Sequence, residues 1–499
     1  MDLYSSEWLL LMVGWVILGS FIDGEIVKRE DTPRIKILNP ADTREEISIF
    51  SGASLDDVKR AIDSAYEAFN KWSGVPPHER SKILFRAANI IEQELEDFAK
   101  LLTREEGKTL RESKVEVERA IGILRFYAGI APKVGGKTLP SQFPNTMVLT
   151  VREPLGVISV ITPWNFPIAI PAWKIAPALI TGNTVVFKPS SLTPTIAMKF
   201  VDALYRAGLP KGVLNMVVGS GSSIGDELIV NKKISAVSFT GSTEVGLNIH
   251  RKAGDLDRFL RIQLELGGKN ALVVAEDADL GEAVDIAVRG GFGLTGQACS
   301  ATSRVLVHSS KYDAFVRALS ERASKIRVGN GLRDDVDMGP LVSLDAKRKV
   351  KRYIDIGISE GAKLVYGGSP LEEDEYRYGY FFQPTVFAEC TKDMRIFREE
   401  IFGPVICVTP YRSLDEAIEL TNSVDYGLVA GIVSRDMSKI IRFIEKAEAG
   451  VIRVNMPTVG MEYQVPYGGF KLSGNDLHKE QGEEAIDFYT RVKAAYIRY

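Results

Sequence analysis

Three residues of this sequence have types and settings suited to carbonyl chemistry: Cys299, Glu265 and Asn165. Cys299 stands in GQACSATSR, and a thiol is a strong nucleophile once it loses its proton. Gly290, Gly291, Gly293 and Gly296 precede it, which suits close backbone approach to a ligand. The competing reading is a structural thiol, because most free cysteines are core residues. Glu265 lies in QLELGGKN, an apolar segment ending in a glycine pair. Burial there raises a carboxyl pKa toward that of a general base; an exposed edge position is the bland alternative. Asn165 lies in TPWNFP, with a proline two residues away on each side. A backbone fixed in this way can hold the amide toward a developing oxyanion, or simply form an Asx-turn.

A second group of motifs suits a nucleotide. FTGSTEVG, residues 239–246, reads as the end of a strand, a turn at Gly241 and a helix opening at Ser242 and Thr243. Free amides at a helix N-terminus attract a pyrophosphate, although an ordinary Ser/Thr cap has the same pattern. Residues 219–225, GSGSSIG, are one residue too long for the dinucleotide glycine motif and carry little weight.

These residues need rigid elements to hold them. Leu55, Val58, Ile62, Ala65 and Phe69 recur at helical spacing, with Ser54 and Asp57 placed as an N-terminal capping pair. Two further amphipathic helices are expected over 78–130, and Gly135-Gly136 and Pro140 to Pro144 then break the pattern. From residue 155 short β-branched runs alternate with helices. Strands are expected over 157–161, 184–187, 213–218 and 236–239, and helices over 172–180 and from Thr193-Pro194 to about Gly208. This alternation predicts parallel sheets faced by helices, with ligands at the carboxyl ends of the strands. A second alternating region runs from about 270 to 454. The final segment, RVKAAYIRY, reads as an edge strand able to add to another subunit's sheet.

The length of 499 residues calls for more than one core, and the small net charge of −3, without a long basic run, excludes nucleic acid as an obvious partner. The three cysteines, at 299, 390 and 407, form no disulfide framework; Cys390 and Cys407 read as core residues in a reducing, cytoplasmic compartment. The four histidines form no zinc-ligand pair, so no metal is expected. None sits beside the thiol in the manner of a thiol hydrolase. The apolar run Trp8 to Ile22 admits three readings: a buried strand before an Asp23-Gly24 turn, an extension upstream of a start such as Met12, or a membrane anchor. It is shorter than the roughly 20 residues of a spanning helix, and no membrane partner is expected.

TPWNFP, the WK at 173–174, FKPS, FTGSTEVG, LELGGKN, GQACSATSR, EEIFGPV and PYGGFKLSG occur here in the same order as in the aldehyde dehydrogenase superfamily. The resemblance extends from about Phe21 to the C-terminus. It implies an α/β fold with three parts: a Rossmann-like cofactor domain (22–131 and 151–265), an α/β catalytic domain (266–465) and a small β oligomerisation element (132–150 with 485–499). Residues 1–21 remain as an apolar N-terminal extension. It implies that Cys299 is the nucleophile, that the Asn165 amide and the Cys299 N–H hold the oxyanion, and that Glu265 activates the hydrolytic water. Lys188 and Glu400 resemble the residues that hold the two riboses, Trp164 and Phe402 those beside the cofactor, and Gly241 and Ser242 the pyrophosphate loop. Lys174 falls near the site. Phe166, Ile170, Trp173 and Tyr467 fall in the substrate pocket.

NAD-preferring members often carry Glu three residues after the lysine at 188; here Ser191 stands there, which predicts NADP, with NAD possible. GGFGLTGQACSATSR, the DMGP at 337–340 and the NMPTVG at 455–460 are most similar to members acting on 2,5-dioxopentanoate. Succinate-semialdehyde dehydrogenases are the alternative, yet Gly293 stands where those compared carry an arginine for the substrate carboxylate, so another basic residue would have to serve. The apolar and aromatic pocket would also admit simple aldehydes. A non-catalytic binding protein of this family would have lost Cys299, Glu265 or Asn165, and all three are present. The resemblance implies a homodimer or homotetramer.

Overall fold

The computed structural model describes residues 17–499. Within the apolar N-terminal run, Trp8 to Val16 lie outside the described residues; the remainder forms two short strands separated by Gly19. Strand β1 (Ile17–Leu18) runs parallel to β5 (Asp42–Ser51), and β4 (Arg34–Asn39) flanks β5 on its other side. Strands β2 (Ser20–Ile22) and β3 (Glu25–Val27) form a two-residue hairpin. Its turn is Asp23-Gly24, both in the left-handed region at φ 54° and 78°, the twist that two-residue hairpins favour. The buried-strand reading therefore holds for the part described, and residues 17–21 belong to the fold.

Ser54 and Asp57 cap the helix Leu55–Ser73 reciprocally, through bonds of 2.9 and 3.2 Å. Residues 78–130 differ from expectation. They form three helices, Pro77–Gln93, Leu95–Glu106 and Leu110–Gly129, where two were predicted. The breaks fall at Glu94 and at Gly107, the latter at φ 103°. Breaks of one residue, at Glu94, and of three, from Gly107 to Thr109, are too short to stand out from the apolar period of the flanking helices.

The strands that follow build a seven-stranded sheet in the order β12-β11-β8-β9-β10-β2-β3. Strands β8 (Val157–Ile161), β9 (Thr184–Lys188), β10 (Leu214–Met216), β11 (Ile234–Thr240) and β12 (Arg261–Glu265) are mutually parallel, and the β2–β3 hairpin closes one edge antiparallel. All of β9 is buried, as expected of a parallel strand covered on both faces. Phe187 is wholly buried there, and truncating it to alanine costs about 3–5 kcal/mol. The helix Ala169–Ile180 is buried at every residue and starts three positions before the expected Ala172. The strand expected over 213–218 is only Leu214–Met216. Strand order reverses at β8, so the β8/β11 boundary is the topological switch point, where α/β sheets open a ligand crevice.

Between Glu265 and Asn270 the chain crosses into a second seven-stranded sheet, ordered β15-β16-β17-β14-β13-β19-β20. Its members are β13 (Asn270–Val274), β14 (Thr302–His308), β15 (Lys363–Tyr366), β16 (Thr385–Ala388), β17 (Val405–Tyr411), β19 (Val429–Val433) and β20 (Val451–Val454), parallel except for β15. Cys390 and Cys407 are buried against it, as the core reading expects. A third, antiparallel sheet joins β6 (Thr138–Leu139), β7 (Thr146–Pro154) and β22 (Thr490–Arg498). Strand β22 pairs with β7 from Thr490–Pro154 to Arg498–Thr146 and is an open edge, as predicted. It exposes Val492, Tyr496 and Ile497. Among the described residues no helix is long and apolar enough to cross a membrane.

Candidate active site

The crossing between the two large sheets positions the chemistry. Glu265 ends β12 and Asn270 starts β13, so carboxyl ends of one sheet face amino ends of the other. Cys299 lies just before β14, after a tight approach in which Leu294, Thr295 and Gly296 all have positive φ, 55°, 58° and 67°. At Gly296 a Cβ would stand 2.2 Å from the Gly403 carbonyl, so only glycine fits this turn. Gly268 is needed for a similar reason: a Cβ there would lie 2.4 Å from the Cys299 carbonyl.

The cysteine loop is held from both sides. Asn270 Nδ2 donates to the carbonyls of Cys299 and Ala301, each at 2.8 Å. From the other side Asn165 Nδ2 donates to the Gln297 carbonyl at 3.0 Å. The Asn165 amide therefore points across to the thiol's loop, and its second N–H is not needed there. The Asn165 backbone carbonyl accepts from Lys108 Nζ at 2.7 Å. Lys108 is itself buried and paired to Glu116 at 2.5 Å, and the other Glu116 oxygen caps the amides of Ile168 and Ala169. That carboxylate sits at a helix N-terminus, where the dipole favours it.

Cys299 Sγ lies 3.3 Å from the Tyr467 hydroxyl. Burial pushes the thiol up to about 12, the Tyr467 hydrogen bond pulls it back in part, and the negative Glu400 and Glu265 add to the rise. Glu265 is buried, and one of its oxygens has no hydrogen-bond partner. Its pKa stands well above the ordinary carboxylate range, first through burial and then through repulsion from Glu480, while Lys174 and Lys479 oppose the rise. The exposed-edge reading of Glu265 is thus excluded. Glu480 forms a buried ion pair with Lys174 and accepts from Trp173 Nε1 at 2.7 Å. Lys174 also donates to Ser238 Oγ at 2.9 Å. This gives Lys174 a definite place: it neutralises the carboxylate nearest in influence to Glu265.

A cavity of about 720 Å³ opens onto Cys299 and Glu265. Phe166, Ile170, Trp173 and Tyr467 all line it. Asn165, Glu400 and Phe402 do not. On the far side of the cysteine loop Glu400 and Phe402 share a smaller void with Gly268 and Ala298. There Glu400 accepts the Gly268 N–H at 2.9 Å, and burial raises its pKa against the pull of that bond and of Lys349 and Lys269. Phe402, at φ 60°, meets Trp164 edge-on with ring centroids 5.4 Å apart.

The switch-point crevice has the groups a dinucleotide requires. Ser242 caps the helix Thr243–Gly254, accepting from Val245 N at 3.4 Å, and the first turn of any helix leaves amides without intrahelical partners. Gly241 N–H donates to the Glu265 carbonyl at 3.0 Å, tying this loop to the strand that ends in Glu265. Lys188, at the end of β9, is buried with its Nζ 3.4 Å from the Pro189 carbonyl, and burial lowers its pKa to about 8. The buried hydroxyls of Thr162 and Thr240, at the ends of β8 and β11, have no hydrogen-bond partner among the described residues. A cation, helix-start amides, orphaned hydroxyls and the Glu400 carboxylate together suit the phosphates and ribose hydroxyls of a nicotinamide dinucleotide. Ser191 lies in the partly exposed turn after β9.

Four groups were missed by reading the sequence. Glu480 sits in a charged run that reads as solvated surface, and Arg119 on a helix and Lys108 in the break before it are residue types that are ordinarily exposed. Asn270 lay in a recognised motif without a role. Among the described residues no group of three His, Cys, Asp or Glu is placed to hold a metal ion.

Comparison with known proteins agrees with this geometry. Residues 26–495 match the model of the aldehyde dehydrogenase family. The chain is 52% identical to the 2,5-dioxopentanoate dehydrogenase of Saccharolobus solfataricus over 459 residues, covering 92% of this chain and 95% of the relative. It is 44% identical to the alpha-ketoglutarate semialdehyde dehydrogenase of Haloferax volcanii, covering 96% and 99%. Its structure is similar to the crystal structure of Staphylococcus aureus betaine aldehyde dehydrogenase in complex with NAD+, at a TM-score of 0.94 and 38% identity, covering 99% and 97%. The chain belongs to the aldehyde dehydrogenase family.

Proposed function

We propose that this aldehyde dehydrogenase oxidises 2,5-dioxopentanoate to 2-oxoglutarate with a nicotinamide dinucleotide, NADP in preference to NAD. The observation that carries the chemistry is a thiol, Cys299, sharing one cavity with a buried carboxyl of raised pKa, Glu265. The substrate reading is supported by relatives named for that activity at 52% and 44% identity over most of both chains.

Cys299 Sγ attacks the aldehyde carbon and gives a tetrahedral thiohemiacetal. The free N–H of the Asn165 amide and the Cys299 backbone N–H stabilise its oxyanion. When bound, the nicotinamide supplies the two-electron acceptor for the hydride. Loss of that hydride leaves a thioester on Cys299. Glu265 takes a proton from a water that attacks the thioester carbonyl, and the acid leaves with the thiol restored. Lys188 and Glu400 would hold the two riboses, the amides after Gly241 and Ser242 would hold the pyrophosphate, and Trp164 and Phe402 would lie beside the nicotinamide. Phe166, Ile170, Trp173 and Tyr467 exclude water around the aldehyde. In this reading the first large sheet is the cofactor domain, the second carries the thiol, and the β6-β7-β22 sheet joins subunits into a dimer or tetramer. At Ser191 a hydroxyl can donate to a 2′-phosphate that a carboxylate would repel.

The test is an aldehyde panel with NADP and with NAD, read as reduced-nicotinamide absorbance. The expected result is the highest kcat/KM with 2,5-dioxopentanoate and NADP. A higher kcat/KM with betaine aldehyde overturns the substrate assignment, and a higher value with NAD overturns the cofactor preference.

A further inference from the structure

We infer that Arg119 is the specificity residue for the substrate's carboxylate, the role left open by Gly293. The inference rests on the proposed reading that the aldehyde is an oxo acid.

Arg119 lies on the helix Leu110–Gly129 and lines the same cavity as Cys299 and Glu265. Its guanidinium stands over the Trp173 ring, 5.5 Å from the centroid. One nitrogen, Nη2, donates to Gln481 Oε1 at 3.0 Å. The Nε is buried and has no hydrogen-bond partner among the described residues, and no ion pair to Arg119 occurs among them. Glu116, one turn back on the helix, is already spent on Lys108 and on the amides of Ile168 and Ala169. Burial lowers the Arg119 pKa, and Tyr467, Glu116 and Cys299 counter that fall.

A guanidinium whose Nε is shut off from water without a partner is costly unless a ligand completes it. Its planar fork matches a carboxylate in two-point contact, and the low dielectric strengthens the pairing. Besides Gln481 and Glu116, both already bonded, the cavity is lined by the aromatic and aliphatic side chains Phe166, Ile170, Trp173 and Tyr467. Such a wall suits the short carbon chain between an aldehyde and a distant acid group. Arg111 and Arg289 stand exposed at the same cavity's lining and add positive potential at its mouth. The class of substrate that satisfies Arg119 is therefore a short aldehyde with a carboxylate at its other end.

The experiment compares the wild type with Arg119→Met and Arg119→Lys. Each is assayed on 2,5-dioxopentanoate, succinate semialdehyde and pentanal, with thermal melts as a folding control. Methionine keeps the aliphatic stem and removes the charge. The expected result is a KM for 2,5-dioxopentanoate raised roughly 30-fold or more in Arg119→Met, an intermediate rise in Arg119→Lys, and a kcat/KM for pentanal that is unchanged or improved. An equal loss on pentanal, or an unchanged KM for the carboxylated aldehydes, overturns the assignment. A wild type that ignores 2,5-dioxopentanoate but uses succinate semialdehyde in an Arg119-dependent way overturns the proposed substrate and leaves Arg119 in its role.

Discussion

Glu265→Gln separates the two halves of the reaction. The substitution keeps shape and removes the base. Glu265 is buried, with one oxygen unpartnered and Glu480 close enough to repel its charge, so its pKa lies well above the ordinary carboxylate value of about 4.3. General-base assistance contributes typically 100- to 10,000-fold, or about 3–5 kcal/mol of barrier. Thioester hydrolysis should slow by that factor while thiohemiacetal formation and hydride loss proceed. Rapid mixing with saturating aldehyde and NADP should therefore show a burst of one reduced nicotinamide per subunit, followed by a steady state slowed at least 100-fold. The wild-type kcat should rise with pH on a limb above the usual carboxylate range, and the variant should lack that limb. Stability supplies an independent sign. The folded pKa exceeds the unfolded one, so between the two the native state holds the extra proton, and wild-type stability falls by up to about 1.4 kcal/mol per pH unit from this group. Glutamine has no proton to lose, so the variant's melting temperature should gain on the wild type as pH rises. No burst, or a steady-state rate within tenfold of wild type, refutes the role given to Glu265.

Asn165→Ala should lower kcat roughly 100- to 1000-fold with little change in KM, because its second amide N–H acts only on the developing oxyanion. A drop under tenfold in steady-state assays contradicts that role. Cys299, pushed up to about 12 by burial, should react with iodoacetamide about tenfold faster per pH unit from pH 7 to 9 in cofactor-free protein. A plateau of that rate in this range, with the modified peptide identified by mass spectrometry, disproves the high thiol pKa. Ser191→Glu should shift the NADP/NAD ratio of kcat/KM toward NAD by roughly tenfold or more, and an unmoved ratio removes Ser191 from cofactor choice.

What could be read in the sequence divides along a physical line. Cys299, Glu265 and Asn165 sit in segments whose glycines and prolines mark them locally, and strands such as β8 and β9 announce themselves as short β-branched runs. Their surroundings depend on chain brought from far away. Glu480 meets Lys174 across 306 residues, and Arg119 meets Gln481 across 362. Nothing in a local window distinguishes such residues from solvated charges. The N-terminal run was ambiguous for a related reason: what makes Phe21 a strand residue is its pairing with Met216, which no periodicity in residues 8–22 reveals.

The pair Glu480-Gln481 links the two chemical ends of the cavity. Glu480 is fixed by a two-way backbone bridge to Tyr467, both bonds 2.6 Å, and Gln481 is held at φ 59°, a conformation that ordinary side chains adopt only at a cost. The turn sends adjacent side chains to opposite tasks. Glu480 goes to Lys174 and the Trp173 indole N–H, beside Glu265; Gln481 goes to Arg119, over the face of the same Trp173 ring. Tyr467, at the other end of the bridge, reaches Cys299. A substrate bound by its carboxylate at Arg119 thus lies against an indole whose orientation is set by the carboxylate that tunes Glu265. Shape at one end and basicity at the other are coupled through one ring. The Trp173 indole N–H, more than the ring's bulk, is then the feature that a substitution at this position must preserve.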